Sequence, residues 1–252
     1  MHILVTNDDG ILSPGLLVLA EACRQVADVT VVAPDREQSA QSHALTLTRP
    51  LRPVRRPDGT WQVDGTPTDC VLLALEAPLV SEKPAFVFSG INHGPNMGED
   101  VLYSGTVSAA MEATVLGIPG VAFSFAGRRD DLIDGYAELV ASLVRRIVAL
   151  KDIQPNTLLN INLPGIPADE VKGVRVVRLG SRFFQNSITK NQDPWGRDVW
   201  WIGGGTTTWS GEQDTDHAVV RDGYVAVTPL HLDLTAHGQL DMVRGWALAL
   251  EG

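Results

Sequence analysis

Cysteine is scarce: Cys23 and Cys70 are the only two among 252 residues, and no C-x-x-C pair occurs. A disulfide framework and a thiolate metal site are therefore both excluded as organising features. Both cysteines fall in apolar, helix-like stretches and read as reduced core thiols, which suits a reducing cytosol. Long apolar runs are missing too. Nowhere do about 18 uninterrupted apolar residues occur, and the N-terminus enters the strand-like His2-Ile3-Leu4-Val5-Thr6 without a charged-then-apolar leader. The expectation is a cytoplasmic protein with no membrane partner. Positive charge is in deficit: 20 Lys and Arg against 30 Asp and Glu give a formal charge of −10. A surface for duplex nucleic acid is disfavoured, because counterion release requires a cationic face. Any phosphate ligand must then be held by local devices: a few basic side chains, a helix N-terminus or a metal ion.

Several catalytic signatures are also absent. There is no G-x-x-x-x-G-K-[ST] loop, Gly90, Gly94 and Gly98 are spaced too regularly for a G-x-G-x-x-G fingerprint, and no H-E-x-x-H pair exists. A P-loop NTPase and a zinc hydrolase of that type are set aside.

What is present is a soluble, globular composition with 44% hydrophobic residues and no low-complexity tract. Short β-branched runs alternate with helix-period segments through the first half, the pattern of βαβ units. Strands are expected at 2–6, 28–33, 85–89, 121–125 and 158–163. Helices are expected at 16–26, from Thr66-Pro67 onward, at 105–116 and at 131–151, with a surface hairpin over 52–64 turning at Asp58-Gly59. After residue 180 the texture changes. Phe183, Phe184, Trp195, Trp200, Trp201 and Trp209 are scattered among Gly, Thr, Asn and Asp without a helical period, so the chain is expected to leave the sheet as an arm whose aromatics need a partner surface. The fold expected is α/β: a Rossmann-like, three-layer core with a mostly parallel sheet and a protruding C-terminal β-hairpin arm. Residues 1–180 form the catalytic core, 181–221 an oligomerisation arm, and 222–252 a return strand and C-terminal helix.

In an open α/β sheet, ligands bind at the carboxyl ends of the strands. Strand one runs into Asn7-Asp8-Asp9-Gly10, strand two into Pro34-Asp35-Arg36-Glu37-Gln38-Ser39, and the 85–89 strand into Gly90-Ile91-Asn92-His93-Gly94-Pro95-Asn96. Adjacent carboxylates repel unless a positive charge joins them. Asp8, Asp9, Ser39 and Asn92 together offer an all-oxygen, hard ligand set that favours Mg²⁺, Mn²⁺ or Ca²⁺ over Zn²⁺. Taken alone, Asp-Asp-Gly is a polar turn, Ser39 a loop hydroxyl and Asn92 a turn former. Their shared position at strand ends is what gives them weight. The start of the 105–116 helix, with Ser104, Gly105 and Thr106, can hold a phosphate, although capping by Ser104 explains the same residues without a ligand. His93 could act there as an acid, but a lone loop His is more often a surface residue.

Taken together, Ile3-Leu4-Val5-Thr6-Asn7-Asp8-Asp9-Gly10-Ile11, Val32-Ala33-Pro34-Asp35 with Gln38-Ser39-Ala40, Gly65-Thr66-Pro67-Thr68-Asp69, Ser89 through Gly98, Tyr103-Ser104-Gly105-Thr106-Val107 through Glu112, Leu159-Asn160-Ile161-Asn162-Leu163-Pro164 and Asp214-Thr215-Asp216 with Thr228-Pro229-Leu230 resemble the SurE family of nucleotidases in order along nearly the whole chain. That resemblance implies one divalent ion per subunit on Asp8, Asp9, Ser39 and Asn92. It makes Asp8, Asp9 and Asn96 catalytic and adds Asn96 to the phosphate-binding Ser104, Gly105 and Thr106. It also implies hydrolysis of nucleoside 5′-monophosphates, extending to 3′-monophosphates and short polyphosphate, and assembly as a homodimer or homotetramer through the arm. Water is favoured over an aspartyl-phosphate route, since both carboxylates are needed as ligands. The alternatives are a phosphatase of another small phosphomonoester and a nucleotide- or metal-binding protein without turnover.

Overall fold

A computed structural model describes residues 1–127, 132–185, 188–203, 206–210 and 212–246. Nine strands form the main sheet: β1 (His2–Thr6), β2 (Asp28–Pro34), β3 (Pro53–Arg55), β4 (Trp61–Val63), β5 (Phe86–His93), β6 (Gly120–Phe125), β7 (Leu158–Leu163), β8 (Val174–Val176) and β13 (Val225–Leu230). Their order is β3-β4-β2-β1-β5-β6-β7-β13-β8. From β4 to β7 every neighbouring pair is parallel; β3 against β4 and β13 against β7 are antiparallel. The chain moves outward from β1 to β2 and β4, then crosses back to β5 on the other side of β1. This reversal is the topological switch point, where two successive connections leave in opposite directions and open a crevice.

Alternation along the buried strands divides the core in two. Ile3 and Val5 of β1 pack with Phe88, Phe123 and Ile161 under helices α1 (Pro14–Arg24) and α4 (Ala137–Val148). Leu4, between them, faces Val32, Val87 and the helices α2 (Pro67–Glu76) and α3 (Gly105–Val115). The period of two along a strand therefore produces three layers. The helix starts follow local chemistry. Thr66 caps α2 by accepting from the Asp69 N–H while Asp69 accepts from the Thr66 N–H, a reciprocal capping box with Pro67 in the first turn. Cys23 and Cys70 are buried in α1 and α2; burial pushes the Cys23 thiol up to about 12 and the Cys70 thiol upward as well. Among the described residues no helix is long and apolar enough to cross a membrane.

Three boundaries differ from expectation. The loop expected after Ser89 is a continuation of β5 to His93, with a register irregularity against β6 between Ser89 and Asn92. Gly90 permits this: its φ is +133°, and a Cβ there would lie 2.3 Å from the Phe123 carbonyl oxygen. Helix α1 begins earlier than expected, at Pro14, whose fixed φ suits a first turn. The helix expected at 131–151 begins instead at Ala137, after a 3₁₀ turn over Asp134–Tyr136; residue 131 lies outside the described residues. Tyr136 anchors that turn by donating its hydroxyl to the carbonyls of Pro164 (2.5 Å) and Ile166 (2.9 Å).

The arm is one long hairpin in two ladders. β9 (Ser181–Gln185) pairs with β12 (Thr206–Ser210), and further out β10 (Ile188–Gln192) pairs with β11 (Asp198–Ile202), all antiparallel. The helix α5 (Asp216–Arg221), inside the segment assigned to the arm from sequence, instead packs back on the core through Val219 and Val220 beside Met97 and Ala226. The last element among the described residues is a short helix, α6 (Leu240–Arg244), and residues 247–252 of the expected C-terminal helix lie outside the described residues.

Close approach of α1 to β5 depends on Gly15, where a Cβ would lie 2.0 Å from the Ile91 carbonyl oxygen. Replacing Gly15 with Ala should therefore destabilise the protein by about 1–3 kcal/mol through overpacking, measured by urea unfolding. Unchanged stability would mean that helix and strand can separate at no cost.

Candidate active site

The turn after β1 is built so that its carboxylates are held at the switch point. Asn7 donates its side-chain amide to the Gly10 carbonyl (2.9 Å), and Gly10, at φ +97°, packs on the Arg36 backbone, leaving no room for a side chain. The backbone also joins the first two loops: Ile11 N–H donates to the Pro34 carbonyl and Gln38 N–H to the Asp8 carbonyl, both at 2.8 Å. Asp8 is buried, with the Thr106 hydroxyl donating to its Oδ1. Burial raises its carboxyl to about 6, against the lowering effect of the Thr106 hydroxyl and backbone N–H; the nearby charge of Asp9 raises it further. Gly105 brings the start of α3 against this carboxylate, since a Cβ there would lie 2.9 Å from Asp8 Cβ and 3.0 Å from its Oδ2.

The other candidate ligands lie at or beyond the ends of neighbouring strands. Asp9 Oδ2 accepts the His93 N–H at 2.9 Å, which ties the first loop to the end of β5. His93 itself is exposed. Asn92 donates its amide nitrogen to the Gly94 carbonyl (2.7 Å), so its Oδ1 remains an acceptor. Ser39 lies one residue beyond the Gln38 contact, with its exposed hydroxyl donating to Glu37 at 2.6 Å. Among the described residues no three of His, Cys, Asp and Glu converge on one point.

The same donor set decides whether a cation fits. Asp8 combines a buried carboxylate with a like charge beside it, and the neighbouring Asn7 Oδ1 is buried without a partner among the described residues. Oxygen donors from three loops, two of them carboxylates, suit a hard divalent ion. A cavity of about 470 Å³ adjoins this turn through Arg36 and is also lined by Arg49 and Arg52. A larger one of about 550 Å³ lies at the uncovered start of β2, away from the carboxylates.

At the start of α3, Ser104 does cap: its Oγ accepts the Val107 N–H at 3.1 Å. Its hydroxyl proton stays available for a ligand, whereas the Thr106 proton is committed to Asp8. Asn96 is held by a buried network that sequence reasoning did not assemble. Its N–H donates to Asn162 Oδ1 (2.9 Å), its side-chain amide to Ser124 Oγ (2.8 Å), and its carbonyl accepts from the amides of Asn160 (2.8 Å) and Asn162 (3.0 Å). Ser124 lies in register with both Asn92 and Asn162, so three polar residues form a row across β5, β6 and β7. Two asparagines at i and i+2 inside the otherwise apolar β7 were the available signal, because fully buried amides require partners.

Comparison with known proteins finds relatives over nearly the whole chain. The family model described as Survival protein SurE matches residues 3–186. The 5′-nucleotidase SurE of Gemmatimonas aurantiaca is 57% identical over 249 residues, spanning 98% of each chain. The 5′/3′-nucleotidase SurE of Serratia proteamaculans is 47% identical over 249 residues, 98% of this chain and 96% of its own. The crystal structure of a protein from Aquifex aeolicus carrying the same family name is 40% identical, with a TM-score of 0.85 over 98% of this chain and 99% of its own.

Because the folded state disfavours ionised Asp8, metal-free protein should lose stability as pH rises from the ordinary carboxyl value of 3.8 through about 6. Asp8→Asn removes that loss. In excess chelator, the stability of Asp8→Asn relative to the parent should rise by up to about 3 kcal/mol between roughly pH 3.5 and 7, measured by urea unfolding. A difference independent of pH would show that Asp8 is not the strained group.

Proposed function

The chain belongs to the SurE family, and we propose on that premise that it hydrolyses nucleoside 5′-monophosphates to nucleoside and inorganic phosphate, with nucleoside 3′-monophosphates and short polyphosphate as further substrates. The observation that carries the proposal is the buried Asp8 beside Asp9, facing the start of α3 at the switch point, in a chain 57% identical to a 5′-nucleotidase. Asp8, Asp9, Ser39 and Asn92 are the residues that would hold one divalent ion, Mg²⁺ or Mn²⁺ ahead of Ca²⁺, which when bound supplies Lewis-acid polarisation of the phosphoryl group and charge neutralisation.

The rest of the catalysis is positioning by the chain itself. The Ser104 hydroxyl and the Gly105 N–H bind phosphoryl oxygens at the helix start, where the aligned backbone dipoles favour negative charge. Asn96, fixed by Ser124, Asn160 and Asn162, joins them from the opposite side as a preorganised amide that needs no rearrangement. Thr106 holds its proton on Asp8 Oδ1, which orients that carboxylate. With both carboxylates engaged as ion ligands, water is the nucleophile. One O–P bond forms and the ester O–P bond breaks, the water's protons passing to solvent and to the departing nucleoside oxygen.

The ladders of β9 with β12 and β10 with β11 extend the core as an arm, and the arm joins subunits into a homodimer or homotetramer. Support comes from Trp195, Trp200, Trp201 and Ile202, which are 62–88% exposed on one short hairpin, far more apolar surface than a monomer ordinarily leaves uncovered. Two buried, unpaired thiols suit a cytoplasmic location.

Phosphate release from a nucleoside 5′-monophosphate should stop in EDTA and return with Mn²⁺ or Mg²⁺. Asp9→Asn should lower it by more than the ~10–100-fold typical of changes beyond the ligand shell. Across a panel of phosphate esters, kcat/KM should be highest for nucleotides; a higher value for a sugar or other small phosphomonoester would overturn the substrate assignment. Replacing residues 188–203 with a short Gly-Ser bridge should give a monomer in sedimentation, and retention of the parent's mass would exclude the arm as the assembly device.

A further inference from the structure

Asp216 is a fully buried carboxylate that the mechanism above does not use. Its Oδ2 accepts the Gly98 N–H at 2.9 Å; its Oδ1 accepts the Gly180 N–H at 2.8 Å and its neighbour His217's N–H at 2.7 Å. Gly180 is the residue from which the arm departs at Ser181. Gly98 opens the 3₁₀ turn Gly98–Leu102, which is the connection between Asn96 and Ser104. One carboxylate thus fastens the segment that carries the phosphate-binding groups to the root of the arm.

Independent contacts reinforce the fastening. Glu99 accepts the Ser181 hydroxyl at 2.6 Å and the Arg182 N–H, and Asp100 pairs with the Arg182 guanidinium. The Asp100 carbonyl in turn accepts the N–H groups of Tyr103 (3.0 Å) and Ser104 (3.1 Å). From the returning strand, Trp209 stacks on His217 with ring centres 4.1 Å apart and lies 3.3 Å from where a Gly98 Cβ would sit. Gly98 is left-handed at φ +55° and has the Gly180 carbonyl on its other side, so no side chain can be placed there without moving the arm.

We propose that Asp216, seconded by Glu99, is a positioning residue for hydrolysis: it sets Asn96 and Ser104 from the base of the arm. It touches no substrate, and the proposal rests on the reading that Asn96, Ser104 and Gly105 bind phosphate. The chemistry specifies which side suffers when Asp216 is changed. An Asn side chain of the same shape has one acceptor oxygen. Left facing Gly180 and His217 it keeps two donors, and its NH₂ is then set against the Gly98 N–H. The displacement falls on the Asn96–Ser104 side, while the four candidate metal ligands lie on other segments.

The test uses the full-length protein with saturating Mn²⁺, well below the variants' melting temperatures. Asp216→Asn should lower kcat/KM for a nucleoside monophosphate about ten- to a hundredfold and raise the Ki of inorganic phosphate in parallel, with the Mn²⁺ activation constant unchanged. Glu99→Gln should move the same two quantities in the same direction by a smaller factor with little change in melting temperature, and it carries the test if Asp216→Asn does not fold. Asp214→Asn, an exposed neighbour ion-paired with Arg178, should change neither. Ser104→Ala separates the two readings. If Ser104→Ala raises the phosphate Ki but Asp216→Asn and Glu99→Gln only lower the melting temperature, the positioning role is overturned and the phosphate site stands. If none of the three moves the Ki, both are overturned.

Discussion

Asp8 and Asp9 are adjacent carboxylates at the end of the central strand, one of them withdrawn from water, and much of the surrounding structure can be understood as the means of keeping them there. Burial disfavours ionisation of Asp8, and the like charge of Asp9 adds to the cost, so the arrangement persists only where the surroundings over-determine it. The fold does this from three directions. The Thr106 hydroxyl and the start of α3 meet Asp8, the His93 N–H meets Asp9, and the backbone of the second loop is bonded to the turn through Gln38 and Ile11. The parallel sheet makes the convergence possible, because its order brings the carboxyl ends of β2, β1 and β5 side by side. A cation binding at this point relieves the repulsion that the fold otherwise has to sustain.

Beyond the carboxylates, the polar groups form a graded system. Asn96 sits at the centre of a buried amide and hydroxyl network whose members come from β6 and β7. Its bonds fix Asn96 through N–H, carbonyl and amide, while Asn160 Oδ1 is buried without a partner among the described residues. The 3₁₀ turn after Asn96 leads to Ser104 and is itself fastened to the arm by Asp216 and Glu99. The root of the arm at Gly180, Ser181 and Arg182 is thereby joined to the Asn96–Ser104 segment through a short run of named hydrogen bonds.

Much of this was legible in the sequence because the relevant signals are local. The strand-turn sequence at Asn7-Asp8-Asp9-Gly10 and the Thr66-Pro67-x-Asp69 cap act within a few residues, and alternation along β1 separates the two core faces. Helix α3 starts at Gly105, where the helix over 105–116 was expected. What local patterns conceal is pairing over distance. Gly90 reads as the start of a loop, but it is a glycine needed where β5 passes close to Phe123. Thr106 reads as a helix-start hydroxyl, yet its proton is used by a residue 98 positions earlier. Asp216 belongs to the matched run Asp214-Thr215-Asp216, which says nothing of its carboxylate reaching Gly98, 118 residues away. The family resemblance named candidate ligand residues along the chain without revealing these supports.

The central claim is that the Asp8–Asp9 turn, with Ser39 and Asn92, is a site for one hard divalent ion. Calorimetric titration of chelator-treated protein with Mn²⁺ tests it without reference to turnover. The account predicts a stoichiometry of one ion per chain in the parent and no resolvable binding in Asp9→Asn under the same conditions. Undiminished binding in Asp9→Asn, or no binding by the parent, would contradict it.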